Sequence, residues 1–258
     1  MNKPRKLSVY ERNQLLKYSL KESDLFSKGN LPVEYLTGFV NFAGLELRVD
    51  QNVLIPRVET EELVELIVGL IKKNNRPVKY LEVGTGSGAI SLAVLAAVKN
   101  LRNLPINKFI MTDISEKALL LAKQNLQAHF TSTVASHVSF IQSDLLKKVT
   151  PQSFEVIVAN LPYIPSGEMF KLDSSVKDFE PHIALEGGET GFELIAVFLQ
   201  QILEGDYLAS EGQIFLEVHE SHTLKFITKF YQQFLNHFKI QEFKDQFLRQ
   251  RFLLLTLL

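Results

Sequence analysis

Four times in this chain a short apolar run stops abruptly at a glycine, an acid or an amide. The breaks fall at Val83-Gly84, Thr112-Asp113, Gln142-Ser143-Asp144 and Ala159-Asn160. Runs of this length, rich in β-branched and aromatic residues, read as buried strands. Helical patterns separate them, and strands that alternate with helices build a parallel sheet covered on both faces. In open sheets of that kind ligands bind outside the carboxyl ends of the strands. Polar groups repeated at one edge therefore describe a site as well as a fold. The expected architecture is α/β, a Rossmann-like, doubly wound sheet of seven strands. They fall near 78–83, 108–112, 138–142, 156–159 and 213–218, with a terminal antiparallel pair near 238–243 and 252–257.

The fourth break is the most informative. Val156-Ile157-Val158-Ala159 gives way to Asn160-Leu161-Pro162-Tyr163-Ile164-Pro165. The two prolines cannot donate ladder hydrogen bonds, so the strand ends there. A residue before proline is driven out of the α region, which fixes the direction of the Leu161 carbonyl. The Asn160 side-chain oxygen and that carbonyl can together accept both hydrogens of one NH2 group. Tyr163 can pack its ring against the planar group that carries it. Such a corner suits a base amino group or a carboxamide.

Gly84-Thr85-Gly86-Ser87-Gly88 lies between a strand and a helix running through Ile90, Ala93, Val94 and Ala97. That context gives a glycine motif its meaning. A dinucleotide loop would place its third glycine one residue later, whereas here Ala89 follows Gly88. The spacing favours a nucleoside whose tail lies on bare backbone, where a Cβ would clash. Asp113, at the end of the next strand, is placed for both ribose hydroxyls. Asp144, one strand further, can accept from an adenine amino group. Ser115 is expected to cap the helix after Asp113.

Ahead of this unit, residues 8–30 read as one or two short helices too small for a core of their own. A connector over 32–38 leads to a hairpin around Gly44. A helix follows with Leu63, Val64, Ile67, Leu70 and Ile71 on one face, and Glu59, Glu61 and Glu62 at its start. The break Asn74-Asn75-Arg76-Pro77 marks the main boundary, giving segments 1–31, 32–75 and 76–258. After the corner, 166–191 is a long connection of the functional sort. Helices are expected over 190–203 and 221–237.

A net charge of -1 offers no bulk attraction to nucleic acid. The absence of cysteine removes disulfides, thiolate zinc sites and a thiol nucleophile together. Of six histidines only His219 and His222 lie close together, so no metal is expected. No apolar run is long enough for a membrane span, and basic Met1–Lys6 lacks a following apolar segment. The expectation is a soluble, cytoplasmic monomer.

These residues together resemble the HemK/PrmC family, the S-adenosyl-L-methionine (AdoMet)-dependent N5-glutamine methyltransferases of peptide chain release factors. The matching pieces are Pro32-x-Glu34-Tyr35-Leu36-x-Gly38, Leu54-Ile55-Pro56-Arg57-x-Glu59-Thr60-Glu61, Glu82-x-Gly84-Thr85-Gly86-Ser87-Gly88-Ala89-Ile90, Asp113-Ile114-Ser115, Asn160-x-Pro162-Tyr163-Ile164, Phe179-Glu180-Pro181 and Ala184-Leu185-x-Gly187-Gly188. They span roughly residues 32 to 257. The resemblance implies that 76–258 is the methyltransferase domain and 1–31 a shortened substrate-docking region. It implies AdoMet binding by Glu82, Gly84, Thr85, Gly86, Ser87, Gly88, Asp113, Ile114, Asp144, Leu145 and Asn160, with S-adenosyl-L-homocysteine as product. It further implies that Asn160, Leu161, Pro162 and Tyr163 form the catalytic corner, with Arg57 and Glu59 beside them on the substrate. The chain departs from the family at Leu161, where a first proline is usual; a backbone carbonyl is what that position needs, and Leu has one.

The chemistry expected is positional, because a carboxamide nitrogen is a poor nucleophile and no side chain here is a base strong enough to deprotonate it. The alternatives are a ribosomal-protein glutamine, an adenine amino group in DNA, and a non-catalytic binding protein on the same fold.

Overall fold

The computed structural model describes residues 6–74, 77–99 and 106–258. The boundary expected at Asn75-Arg76 and the basic stretch Met1–Arg5 lie outside the described residues. The central sheet has seven strands: β1 (Val78–Val83), β2 (Ile106–Asp113), β3 (Val138–Gln142), β4 (Phe154–Ala159), β5 (Leu208–Glu217), β6 (Phe238–Lys244) and β7 (Gln250–Leu257). Their order is β6-β7-β5-β4-β1-β2-β3. β1 to β5 run parallel, and β7 is antiparallel to both β5 and β6.

The strand order reverses between β1 and β4, so the crevice for a ligand opens there. Register makes that edge flush. Val83 sits opposite both Thr112 and Ala159, Asp113 opposite Gln142, and Ala159 opposite Leu216. The next residues along, Gly84, Asn160 and Glu217, therefore emerge side by side, with Asp113 at the end of β2.

Side chains alternate across the sheet and divide the core in two. Tyr80, Val156 and Val158 pack under the helices Thr60–Asn74, Ala89–Val98 and Glu116–His129. Leu81, Val83, Ile157 and Ala159 pack on the opposite side under the helix Glu193–Gly205. Burial on both faces is why these strands read as unbroken apolar runs. The Thr60–Asn74 helix buries Leu63, Val64, Ile67 and Ile71 in the same cluster as β1, so its packing joins it to the sheet.

The expected hairpin pairs Phe39–Phe42 with Leu45–Arg48, and Ala43 and Gly44 both take positive φ at its turn. The first helices, Val9–Lys17 and Glu22–Phe26, form a small cluster of Leu7, Leu15, Leu25 and Val33. They lean on the hairpin through Tyr18, which stacks on Phe39, and through Gln14, whose side chain donates to the Phe39 carbonyl. The helix expected over 221–237 is shorter. It covers Leu224–Phe230, and a 3-10 turn covers Gln232–Asn236. Tyr231 leaves helical geometry between them, with its ring 4.8 Å from that of buried Phe192.

Candidate active site

The strands that end at the crevice deliver polar groups either at their last residue, as with Asp113 and Glu217, or in the turn that follows, as with Gly84 and Asn160. After β1, the amides of Gly84 and Thr85 donate to the Thr112 carbonyl, which folds the glycine loop back over β2. Gly84, Gly86 and Gly88 all adopt positive φ, the region that glycine enters without a Cβ penalty. A Cβ on Gly86 would meet no protein atom within 4 Å, so this part of the loop fronts open space.

The Asp113 carboxylate accepts from the Gly86 amide at 2.8 Å and from the Ser115 amide at 2.9 Å. Burial raises its pKa and those two N–H groups hold it down. Ser115 caps the next helix by accepting from the Ala118 amide. Glu82 is buried, and Thr85 and Ser91 both donate to its carboxylate. Burial nevertheless pushes its pKa up to about 7. Beyond β3, Leu145 is buried at positive φ, and Asp144 pairs with Lys147 at 2.5 Å.

Two cavities meet at this edge. Residues from Glu82 to Ser87 line the first, together with Asp113, Ile114, Asp144, Leu145, and Asn160 through Pro162. Tyr163, Ile164, Glu168, Lys171, His219 and Arg251 are among those that line the second. Leu54, Arg57, Asn160 and Ala184 line both, and this shared boundary is the neck of the site. Among the described residues the Asn160 carboxamide and the Leu161 carbonyl have no hydrogen-bond partner. Both are free to accept from a bound group.

The neck is braced from behind. Arg57 donates to buried Glu180 at 2.6 Å, and the second Glu180 oxygen accepts from the Ile55 amide at 3.1 Å. This ties the Leu54–Arg57 segment to the 166–191 connection. Gly187 and Gly191 lie so close to the corner that a Cβ on either would come within 2.5 Å of a backbone oxygen. The Leu161 side chain is buried and packs toward Gly84, whose Cβ would come within 3.1 Å of it. The glycine loop and the corner are thus in direct contact.

Most of the expected residues assemble at the first cavity: Glu82, Gly84, Thr85, Gly86, Ser87, Asp113, Ile114, Asp144, Leu145, Asn160, Leu161, Pro162 and Arg57. Three are placed otherwise. Gly88 does not line it; a Cβ there would press on Met111, Ala122 and Leu92, so this glycine serves helix–sheet packing. Glu59 lines neither cavity; it sits in the turn before the helix, where its carbonyl accepts from the Glu62 amide. Tyr163 reaches only the second cavity, and its hydroxyl donates to Glu217 at 2.9 Å.

Glu217 was not expected, although β5 carries the same signature as the other strands: Ile214-Phe215-Leu216 is an apolar run that stops at an acid. His222 is fully buried. One ring nitrogen accepts from the His219 amide, and the other lies 2.9 Å from the Thr190 carbonyl. Backbone thus occupies both of its nitrogens. No described helix is long and apolar enough to cross a membrane.

Comparison with known proteins places this geometry among relatives. Residues 62–173 match the family model "Methyltransferase small domain". The release factor glutamine methyltransferase of Lactococcus lactis is 39% identical over 189 residues, covering 73% of this chain and 64% of that protein. That of Streptococcus pneumoniae is 33% identical over 220 residues, covering 85% of this chain and 73% of that protein. The chain spans less than two thirds of several such relatives, 64% of the Lactococcus lactis protein and 61% of one from Rhodopirellula baltica. Among solved structures, a SAM-dependent methyltransferase from Agrobacterium tumefaciens superposes with TM-score 0.54 at 14% identity, over 84% of this chain and 68% of that one. At such identity the likeness speaks for the fold alone.

Proposed function

We infer the function from one premise: the chain belongs to the release factor glutamine methyltransferase family. We propose that it transfers a methyl group from AdoMet to the side-chain amide nitrogen of a glutamine in a protein. The acceptor we assign is the glutamine of the GGQ motif in a peptide chain release factor. The observation that carries this reading is the unpartnered Asn160 carboxamide in the neck between two cavities. One cavity has the furniture of a nucleoside site, and the other is the approach left for an acceptor.

The first cavity fits AdoMet on its own features. Open space fronts Gly86, the Asp113 carboxylate is held in place with lone pairs to spare for hydroxyls, and Ile114 and Leu145 offer apolar walls. Gly84 to Ser87, Asp113, Ile114, Asp144 and Leu145 would hold the cofactor. When bound it supplies an electrophilic methyl group on a sulfonium centre.

The protein's part is to orient the acceptor. The Asn160 side-chain oxygen and the Leu161 carbonyl accept the two hydrogens of the acceptor NH2. They turn the nitrogen toward the first cavity and restrict its rotation, a kind of ordering that contributes up to roughly 7–11 kcal/mol in favourable cases. Both acceptors also favour the positive charge that develops on that nitrogen. The nitrogen proton leaves afterwards to water through the second cavity. Leu54 and Ala184 give the neck apolar walls, and Arg57, anchored by Glu180, lines it beside them. We assign a monomer acting in the cytoplasm.

The test is to incubate the protein with labelled AdoMet in parallel with release factor, ribosomal proteins and DNA, and to map the methyl group by mass spectrometry. Label on the release-factor glutamine is the expected result. Label confined to ribosomal protein or DNA would replace the proposed acceptor, and no label anywhere would remove the enzyme reading.

A further inference from the structure

Behind the corner lies a buried group that the mechanism above does not use. Glu217 ends β5, and its neighbour Leu216 pairs with Ala159, so it stands directly beside Asn160 at the strand ends. It is 2% exposed and fully surrounded by protein. One carboxylate oxygen accepts from the Tyr163 hydroxyl at 2.9 Å and the other from the Thr60 hydroxyl at 2.6 Å. The Tyr163 oxygen in turn lies 3.4 Å from an Arg251 nitrogen, and Arg251 is held by Asp245 at 3.3 Å. A buried acid carries a large desolvation cost unless its oxygens are satisfied. Here the satisfying donors come from the two segments that flank the neck.

We propose that Glu217 is a positioning residue for the acceptor: it clamps Tyr163, and with it the Asn160-Leu161-Pro162 corner, to the start of the Thr60 helix. The clamp sets the width of the neck without touching either substrate. Thr60 follows Arg57 by three residues, and Tyr163 follows Asn160 by three, so one carboxylate fixes both sides. Two donors converge on the carboxylate, one on each oxygen. Glutamine keeps only one acceptor oxygen, so either the Thr60 or the Tyr163 hydroxyl loses its acceptor and the two sides are no longer held by one group. Burial raises the Glu217 pKa, while the Thr60 and Tyr163 hydroxyls and the Arg251 charge favour the ionised form.

The kinetic arm of the test rests on the methyl-transfer reading; the spectroscopic arm does not. Glu217→Gln and Tyr163→Phe are each compared with wild type using release factor and AdoMet. We expect kcat to fall between about tenfold and a hundredfold, the range of a misplaced reacting group. The KM for release factor and the Kd for AdoMet stay within about twofold. The double variant is no slower than the slower single variant, because both changes break one bond. In parallel, the Asn160 side-chain amide is followed in 15N–1H spectra, assigned by its loss in Asn160→Asp. Its resonance should move in the same direction in both variants. An unmoved resonance overturns the proposal, as do multiplicative rate losses or a fall in AdoMet affinity that parallels kcat. If wild type leaves release factor unlabelled, the acceptor assignment fails and the resonance alone decides the clamp. If Glu217→Gln does not fold, Tyr163→Phe, which removes only a hydroxyl, carries the same measurements.

Discussion

The glycine loop and the Asn160 corner touch each other and line one cavity, yet they are stabilised in opposite ways. The loop is held by its own strand and the adjoining one: Gly84 and Thr85 bond to Thr112, Gly86 bonds to Asp113, and Thr85 bonds to Glu82. The corner is held from far away in sequence. Tyr163 is fixed by Glu217, Pro162 and Tyr163 are overlaid by the Gly187–Gly191 turn, and Arg57 is anchored by Glu180, 123 residues distant. The difference teaches where each half gets its precision. A loop with internal hydrogen bonds is preorganised before any ligand arrives. A corner braced by tertiary contacts depends on the whole fold being closed around it, and it leaves the Asn160 carboxamide unpaired among the described residues.

The largest test of that contrast is Asn160→Ala. Removing a group aimed at developing charge costs about a hundredfold to a thousandfold in rate. The loop's hydrogen bonds do not involve the Asn160 side chain, which only borders the first cavity, so AdoMet affinity by calorimetry should fall far less than the rate. A matching loss of AdoMet binding would make the two halves one unit and break the comparison. Next in size is Gly191→Ala. Gly191 has φ +83, and a Cβ there would lie 2.2 Å from the Tyr163 carbonyl oxygen. Left-handed strain and the forced shift together amount to roughly 3 kcal/mol of lost stability. Urea denaturation measures that loss, and the corner, not the loop, should be the part displaced. A variant as stable as wild type would mean the turn does not brace Tyr163.

The contrast also explains what could be read in advance. Local signals located the loop, the acids after it and the strands β1 and β3 with their full bounds. In β1 burial on both faces writes an apolar run that the site interrupts at the edge, whereas β3 is a half-exposed edge strand marked by its alternating Val138, Phe140 and neighbouring Ile141. The Asn160 corner was legible for the same reason as β1. Its supports were not. Glu217 finds Thr60 at a separation of 157 residues and Tyr163 at 54, and no spacing rule encodes such pairings. Glu59 and Gly88 were drawn into the site by neighbouring motif residues; Gly88 is pressed between helix and sheet, and Glu59 borders neither cavity. The helix over 221–237 was misjudged because its apolar periodicity is real, but Phe226 and Tyr231 are pulled into an aromatic cluster around Phe192. Tertiary packing there overrides the local pattern.

On the loop side, Glu82 gives a test of intermediate size. Its pKa is raised from 4.5 to about 7 by burial. Between those values the folded state keeps a proton that the unfolded chain has released. Stability from this group is therefore full below the unfolded pKa and declines as pH rises through the window, levelling off above about 7. The change is on the order of 2–3 kcal/mol. Urea denaturation from pH 4.5 to 8 should show a steeper decline for wild type than for Glu82→Gln, and equal slopes would mean that Glu82 ionises freely.

The smallest effect on stability, and the sharpest on the comparison, belongs to Gly86→Ala. Gly86 has φ +54, so a side chain there carries a backbone strain of about 1–2 kcal/mol. Its Cβ would otherwise meet nothing in the protein, in contrast to Gly191, where it would collide with backbone. The space in front of Gly86 belongs to the cavity, and a ligand lying against bare backbone there would meet the new methyl group. Gly86→Ala should therefore fold nearly as well as wild type while binding AdoMet at least about tenfold more weakly, a loss of roughly 1.4 kcal/mol. Gly191→Ala should do the reverse, losing stability while the fraction still folded binds AdoMet normally. Two glycines in the same molecule then separate by their readouts: one is kept for a ligand and the other for the chain itself. Equal AdoMet affinity in Gly86→Ala and wild type would put the nucleoside elsewhere in the crevice and leave the loop a structural turn.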